Sequence, residues 1–252
     1  MNRAIWTESI TEEWAPAWPC PTCRTGTLSL VPKSLVSKQT ANSKHTYDVL
    51  GQPELIRYNF SSWLKCNYEK CGDEVVVAGI GKIVEREKTT DEEIEESIED
   101  LPPHSSYEAI YEPLLCCPMP DMFEVSEKCP AEIVSELRAA FRLFWADQAA
   151  SAGRLRVALE RLMDHYSIPR GKLHRRIERF SNTQATVGGR IMALKWFGNT
   201  ASHEGNVSRE DLLDAFEILE FLVAQLFDQK DPRIAELARQ LDLKHNPEQH
   251  RT

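Results

Sequence analysis

Two hydrophobic rhythms divide the chain. Before residue 86 apolar residues alternate in short runs, and strand character falls at 27–36, 54–64 and 74–84. From Pro130 onward they recur every three or four residues, the spacing of helices with one apolar face. Val134, Leu137, Phe141, Phe144 and Trp145 predict a first helix entered at Pro130. Leu155, Ala158, Leu159, Leu162 and Tyr166 predict a second over about 151–166, broken at Pro169-Arg170-Gly171. A short helix is expected near 173–180 and a fourth near 187–203. Ser208 is the expected N-cap of a fifth, 209–227, which has Glu210 and Asp211 in its first turn. That helix is apolar on most sides, so it is either central to a bundle or shared with a second chain. Asp231-Pro232 opens a last short helix.

The expected fold class is α+β. A β-rich domain spans 1–86, an acidic and proline-rich linker 87–129, and an all-α helical bundle 130–242, with a frayed tail over 243–252. The polar stretch 37–52 reads as a mobile loop and 104–130 as irregular. Seven carboxylates crowd the stretch 91–100, which reads as a solvated linker stopped by Pro102-Pro103.

With 252 residues, 42% hydrophobic and 27% charged, the composition is that of a globular protein. There is no apolar run long enough to cross a bilayer and no signal-peptide core, so a cytoplasmic protein without membrane contact is expected. The net charge of −9 is unevenly spread: residues 138–195 hold 12 basic against 4 acidic side chains. Arg154, Arg156, Arg161, Arg175, Arg176 and Arg179 lie in this block, on two consecutive expected helices. They read as an RNA- or DNA-binding face or as ordinary solvated helix surface.

Seven cysteines are too many, and of the wrong parity, for a fully paired disulfide framework. Cys20-Pro21-Thr22-Cys23 is a tight knuckle followed by Gly26. Cys66 and Cys71 form a looser pair, with four residues between them. Four thiolates in two pairs match the closed ligand set of structural Zn²⁺, and the arrangement resembles a zinc ribbon. The other reading is a group of free or core cysteines. A module of this size with few regular apolar runs gains from a metal, which contributes about 10 kcal/mol or more in small zinc modules. Cys116, Cys117 and Cys129 read as buried packing residues.

The stretch Ala193-Leu194-Lys195-Trp196-Phe197-Gly198-Asn199-Thr200-Ala201-Ser202-His203-Glu204-Gly205 joins an apolar helix end to a polar cluster. Trp196 and Phe197 supply bulk before Gly198, which lets another backbone approach. Asn199 and His203 are four apart and stack on one helix face, suited either to chemistry or to a hydrogen-bonded lock.

Together with Ser151-Ala152, Leu155–Glu160, Leu173 and Arg176-Ile177, this stretch resembles domain of unknown function 4145 over about 125–228. That family is similar to the HEPN superfamily of small helical bundles, many of them metal-independent ribonucleases working as dimers in prokaryotic defence and restriction systems. The resemblance carries Asn199 and His203 over as catalytic candidates. Active members carry Arg where this chain has Gly198; Lys195, three residues earlier, and Arg190, further back, are the alternative charge donors, though neither is the matched residue. Three functions follow. One is a non-catalytic HEPN-like module that binds nucleic acid or a partner protein. The others are a dimeric ribonuclease and a zinc-stabilised oligomerisation scaffold. A homodimer is expected from the family habit and from the apolar helix 209–227.

Overall fold

The computed structural model describes residues 1–85, 107–204 and 207–228, with Leu237 and Gln240; the side chains at 185–186 and 199–204 lie outside that description. The chain divides into two units, Asn2–Pro120 and Asp121–Thr252. Strands fill the first and helices the second, which is the expected α+β order.

The N-terminal unit opens with a one-turn helix, α1 (Ala4–Thr7), followed by strands β1 (Leu28–Leu30) and β2 (Val36–Gln39), helix α2 (Ala41–Leu50), and strands β3 (Arg57–Cys66), β4 (Glu74–Glu85) and β5 (Tyr107–Cys117). The sheet is antiparallel in the order β1-β3-β4-β5, and β2 pairs with the other end of β3. β3 shows why these residues form a sheet. Phe60, Ser62, Leu64 and Cys66 are buried, and the residues between them are exposed. Trp6 stacks on Trp18 at 6.2 Å, and Ile10 bridges to Tyr111 on the outer edge of β5.

Two expectations about this unit are corrected. The stretch 37–52 is not a loop. Val36–Gln39 pairs with β3, and α2 is capped by Thr40, which accepts from the Ser43 amide, and closed by Gly51 in the left-handed region. Its caps define this helix, since it lacks a strong apolar stripe. Nor is 87–129 all linker, because Tyr107–Cys117 is the fifth strand. Its proline suggested irregularity, but Pro113 sits on an edge strand beside a bulge, where a missing N–H costs no ladder bond. The acidic stretch 91–100, Pro102-Pro103, the helix expected at Asp231 and the tail 243–252 fall outside the described residues.

The C-terminal unit contains α3 (Ala131–Leu143), α4 (Gln148–His165), α5 (Leu173–Thr183), α6 (Ala185–Glu204) and α7 (Arg209–Val223), which runs into a π turn, Ala224–Asp228. Asp147 caps α4 by accepting from the Ala150 amide at 2.8 Å, which starts the helix earlier than its apolar period indicated. Ser208 caps α7 as expected, accepting from the Asp211 amide at 3.0 Å. Phe141 centres the core, edge-on to Phe123 at 5.2 Å and to Phe216 at 5.3 Å. α7 buries Leu212, Leu213, Phe216, Leu219, Leu222 and Val223 in its own chain. Its large exposed apolar side chain is Phe221, with the Arg190 guanidinium 4.6 Å from the ring centre. The apolar circumference of this helix therefore does not by itself call for a second chain.

Arg176 is 6% exposed and ties α5 to the end of α4. Its guanidinium donates to the Asp164 carboxylate at 2.6 Å and to the Ile168 carbonyl at 2.9 Å. Replacing it leaves a carbonyl and a carboxylate short of donors at a helix end. Arg176→Met should therefore lose about 1–3 kcal/mol in a urea melt, against under about 0.5 kcal/mol for the exposed Arg175→Met.

Candidate metal centre and helical site

Cys20 and Cys23 precede β1, Cys66 is the last residue of β3, and Cys71 lies in the turn to β4. Pairing of Leu28 with Cys66 brings the two knuckles to one end of the sheet. The first knuckle closes through Arg24 N–H to the Cys20 carbonyl at 3.0 Å and Cys20 N–H to the Gly26 carbonyl at 2.9 Å. The second closes through the Cys71 and Gly72 amides, both donating to the Tyr68 carbonyl, with Gly72 at φ +60°. The additional residues between Cys66 and Cys71 form this turn. Asn67 locks the knuckles together, accepting from the Thr27 amide at 2.9 Å and donating to the Thr27 hydroxyl at 2.9 Å. The Thr22 hydroxyl adds a bond to the Asp73 carboxylate.

The four sulfurs all lie within 4.8 Å of one another, with Cys23 to Cys66 at 3.6 Å and Cys20 to Cys71 at 3.8 Å. Those spacings are far beyond a disulfide. They match the edge of a tetrahedron: a metal–sulfur distance of about 2.3 Å implies sulfurs about 3.8 Å apart. Amides point at two of the sulfurs, Gly26 N–H to Cys23 and Tyr68 N–H to Cys66, each at 3.4 Å. The Gly26 amide leads the effects that hold the Cys23 thiol down to about 6, while burial pushes Cys66 up to about 12. The site can therefore hold a metal ion through four sulfurs. Cys116 and Cys129 are buried, and burial pushes their thiols up to about 12 and about 11, in keeping with packing roles. Cys117 is exposed and is not the buried packing residue expected.

The sequence marked the cysteines and Gly26. It did not mark Asn67, Thr22 or Asp73, whose partners are about 40 to 50 residues away along the chain.

In the helical unit the six arginines sit in different surroundings. Arg154 pairs with Glu136 at 3.2 Å, Arg156 with Glu160 at 3.6 Å and Arg161 with Asp164 at 3.7 Å. Arg176 is buried and bound to Asp164, so it is not part of a nucleic-acid face. Arg175 and Arg179 are exposed on α5.

Gly198 packs against α4. A Cβ there would lie 3.2 Å from Arg156 Cβ and 3.5 Å from the Ala152 carbonyl. A side chain at this position would need the Arg156 side chain to give by a few tenths of an ångström. Lys195 is 6% exposed, with its Nζ 3.2 Å from the centre of the Trp196 ring. Trp196, which supplies bulk just before Gly198, is 55% exposed. Asn199 and His203 lie on α6, and their side chains are outside the described residues.

Two family models match the chain, each over less than half of it. Residues 8–115 match the one described as Domain of unknown function (DUF8608), a span that holds all four clustered cysteines and reaches into β5. Residues 138–244 match the one described as Domain of unknown function (DUF4145), which upholds the resemblance drawn from the helical residues. None of the curated proteins and none of the solved structures matches the chain. Among the described residues, no helix is long and apolar enough to cross a membrane.

At Gly26 an added Cβ would come within 2.6 Å of Cys66 Sγ and 2.7 Å of Tyr68 Cβ. Gly26→Ala should weaken Co²⁺ or Zn²⁺ binding about 10- to 100-fold, the range for a residue that positions ligands, while Thr25→Ala leaves it unchanged. Cobalt titration, followed through the thiolate-to-metal absorption, checks both.

Proposed function

We propose that this protein is a zinc-stabilised, HEPN-like binding module that engages nucleic acid in a prokaryotic defence or restriction system without cleaving it. The observation that carries the non-catalytic reading is the packing of Gly198. Phosphoryl transfer draws much of its acceleration from a cation aimed at the charge growing on the phosphate. The family position for that cation is held by a glycine pressed against α4, and the nearby Lys195 is buried against an indole ring. Asn199 and His203 alone supply a hydrogen-bonding amide and a proton-transfer group, half of a ribonuclease site.

Zinc is the metal this reading assigns. A closed set of four thiolates, with sulfurs at tetrahedral spacing and no vacant position for water, suits a structural ion rather than a catalytic one. The fold around it resembles a zinc ribbon, since two knuckles converge at the ends of antiparallel strands.

A second reading, docking of a partner protein, is favoured by the sheet. Val36, Trp63, Ile80 and Leu115 are exposed on β2 to β5, and the register aligns Val36 with Ser61, Trp63 with Val76, and Ala78 with Leu115. The remaining alternatives are the dimeric ribonuclease and the oligomerisation scaffold.

Purified protein should contain about one zinc per chain. Cys20→Ser or Cys66→Ser should lose it and expose the first unit to protease while the helical unit stays folded; a well-folded, metal-free wild type would overturn the zinc assignment. Incubation with total RNA in EDTA should show no cleavage. Cleavage that is lost in His203→Ala, with a dimer by light scattering, would replace this reading with the ribonuclease.

A further inference from the structure

Trp196 projects into solvent from between buried neighbours. Lys195 and Leu194 just before it on α6 are 6% and 2% exposed, whereas the indole is 55% exposed. A large ring left in water forgoes the stabilisation that burial would give, at about 25 cal/mol per Å² of apolar surface. Yet the ring is held in place. The Lys195 ammonium lies against it, attracted by the ring quadrupole and drawing electron density from it. The His174 ring on α5 lies 5.9 Å from it, inclined by 54°. His174 is itself fixed, with Nδ1 at 3.3 Å from Met192 Sδ and Nε2 at 3.4 Å from the Glu178 carboxylate.

The surroundings are cationic. Arg170, Lys172, Arg175 and Arg179 are exposed on α5 and just before it, and the one carboxylate in that stretch is Glu178. Among the described residues, no carboxylate pairs with Arg175 or Arg179. A fixed aromatic face beside clustered cations matches the two things a single strand offers, a base face for stacking and flanking phosphates. A duplex hides its base faces, and a basic partner would be repelled.

We propose that Trp196 is a stacking residue for an unpaired base of single-stranded nucleic acid, with Arg175 and Arg179 engaging the neighbouring phosphates. This rests on the nucleic-acid reading above and names the ligand and its anchor. Asn199 and His203 follow three and seven positions further along α6, so the anchored strand begins at the family motif.

The test uses the full chain and labelled oligonucleotides of one length at low ionic strength: oligoadenylate, an abasic strand of equal charge, and a duplex. Fluorescence anisotropy should show oligoadenylate binding about tenfold or more tighter than the abasic strand, the range of one or more stacked bases. Trp196→Ala should remove that difference and Trp196→Phe retain most of it. Arg175→Glu with Arg179→Glu should weaken both strands alike and lower the salt slope by about two. Equal binding of the two strands by wild type, or oligoadenylate binding by Trp196→Ala as tight as wild type, would sink the stacking role and leave the nucleic-acid reading standing. Binding of neither strand, nor of the duplex, would overturn both. The comparison of adenylate with abasic strand needs no variant, so it can refute stacking even if the alanine protein fails to fold, and Trp196→Phe then assigns the ring.

Discussion

Four sulfur atoms within 4.8 Å of one another are a demanding arrangement. As thiolates they repel at that range, and as thiols they waste the amides aimed at Cys23 and Cys66. A cation resolves both problems, since it supplies the charge that lets all four ionise together. The N-terminal sheet depends on this junction. β1 is only three residues long, and it meets β3 where Cys66 ends that strand. The segment that precedes β1 is fastened to the sheet through the same place, by the Asn67–Thr27 bonds and the pairing of Cys20 with the Gly26 carbonyl. Local chain geometry, ligand position and sheet register thus meet within a few residues.

The helical unit is organised by close approach. α6 packs on α4 at Gly198, where an added Cβ would meet the Arg156 side chain at 3.2 Å. The basic block is divided by its surroundings. Glu136, Glu160 and Asp164 draw three arginines into surface pairs worth little each, and Arg176 is buried to hold a helix end. Arg154 and Arg161 keep about half of their side chains in water beside their partners, and Arg175 and Arg179 are exposed as well.

Much of this was legible in the sequence. Hydrophobic period gave the helices because a buried helix face repeats every three to four residues whatever it packs against. The cysteine cluster was legible because each knuckle is local: Pro21 and Gly26 build a turn within a few residues of the sulfurs they present. The Ser208 cap was readable for the same reason. Less visible were α2, held by end caps on a polar segment, and β5, an edge strand that tolerates Pro113 beside a bulge. In both, the stabilising contact is a single hydrogen-bonding residue or a distant strand, and neither leaves a periodic trace.

The sequence by itself determined the helices of the second unit and the two cysteine pairs, since each is encoded by neighbours a few positions apart. Only the tertiary structure decided which arginine is buried, which tryptophan faces water, and that Asn67 and Asp73 fasten a knuckle some forty to fifty residues away. Burial and partnership depend on what the fold brings alongside. Arg175 and Arg176 are chemically identical and adjacent, and only the helix they lean on tells them apart.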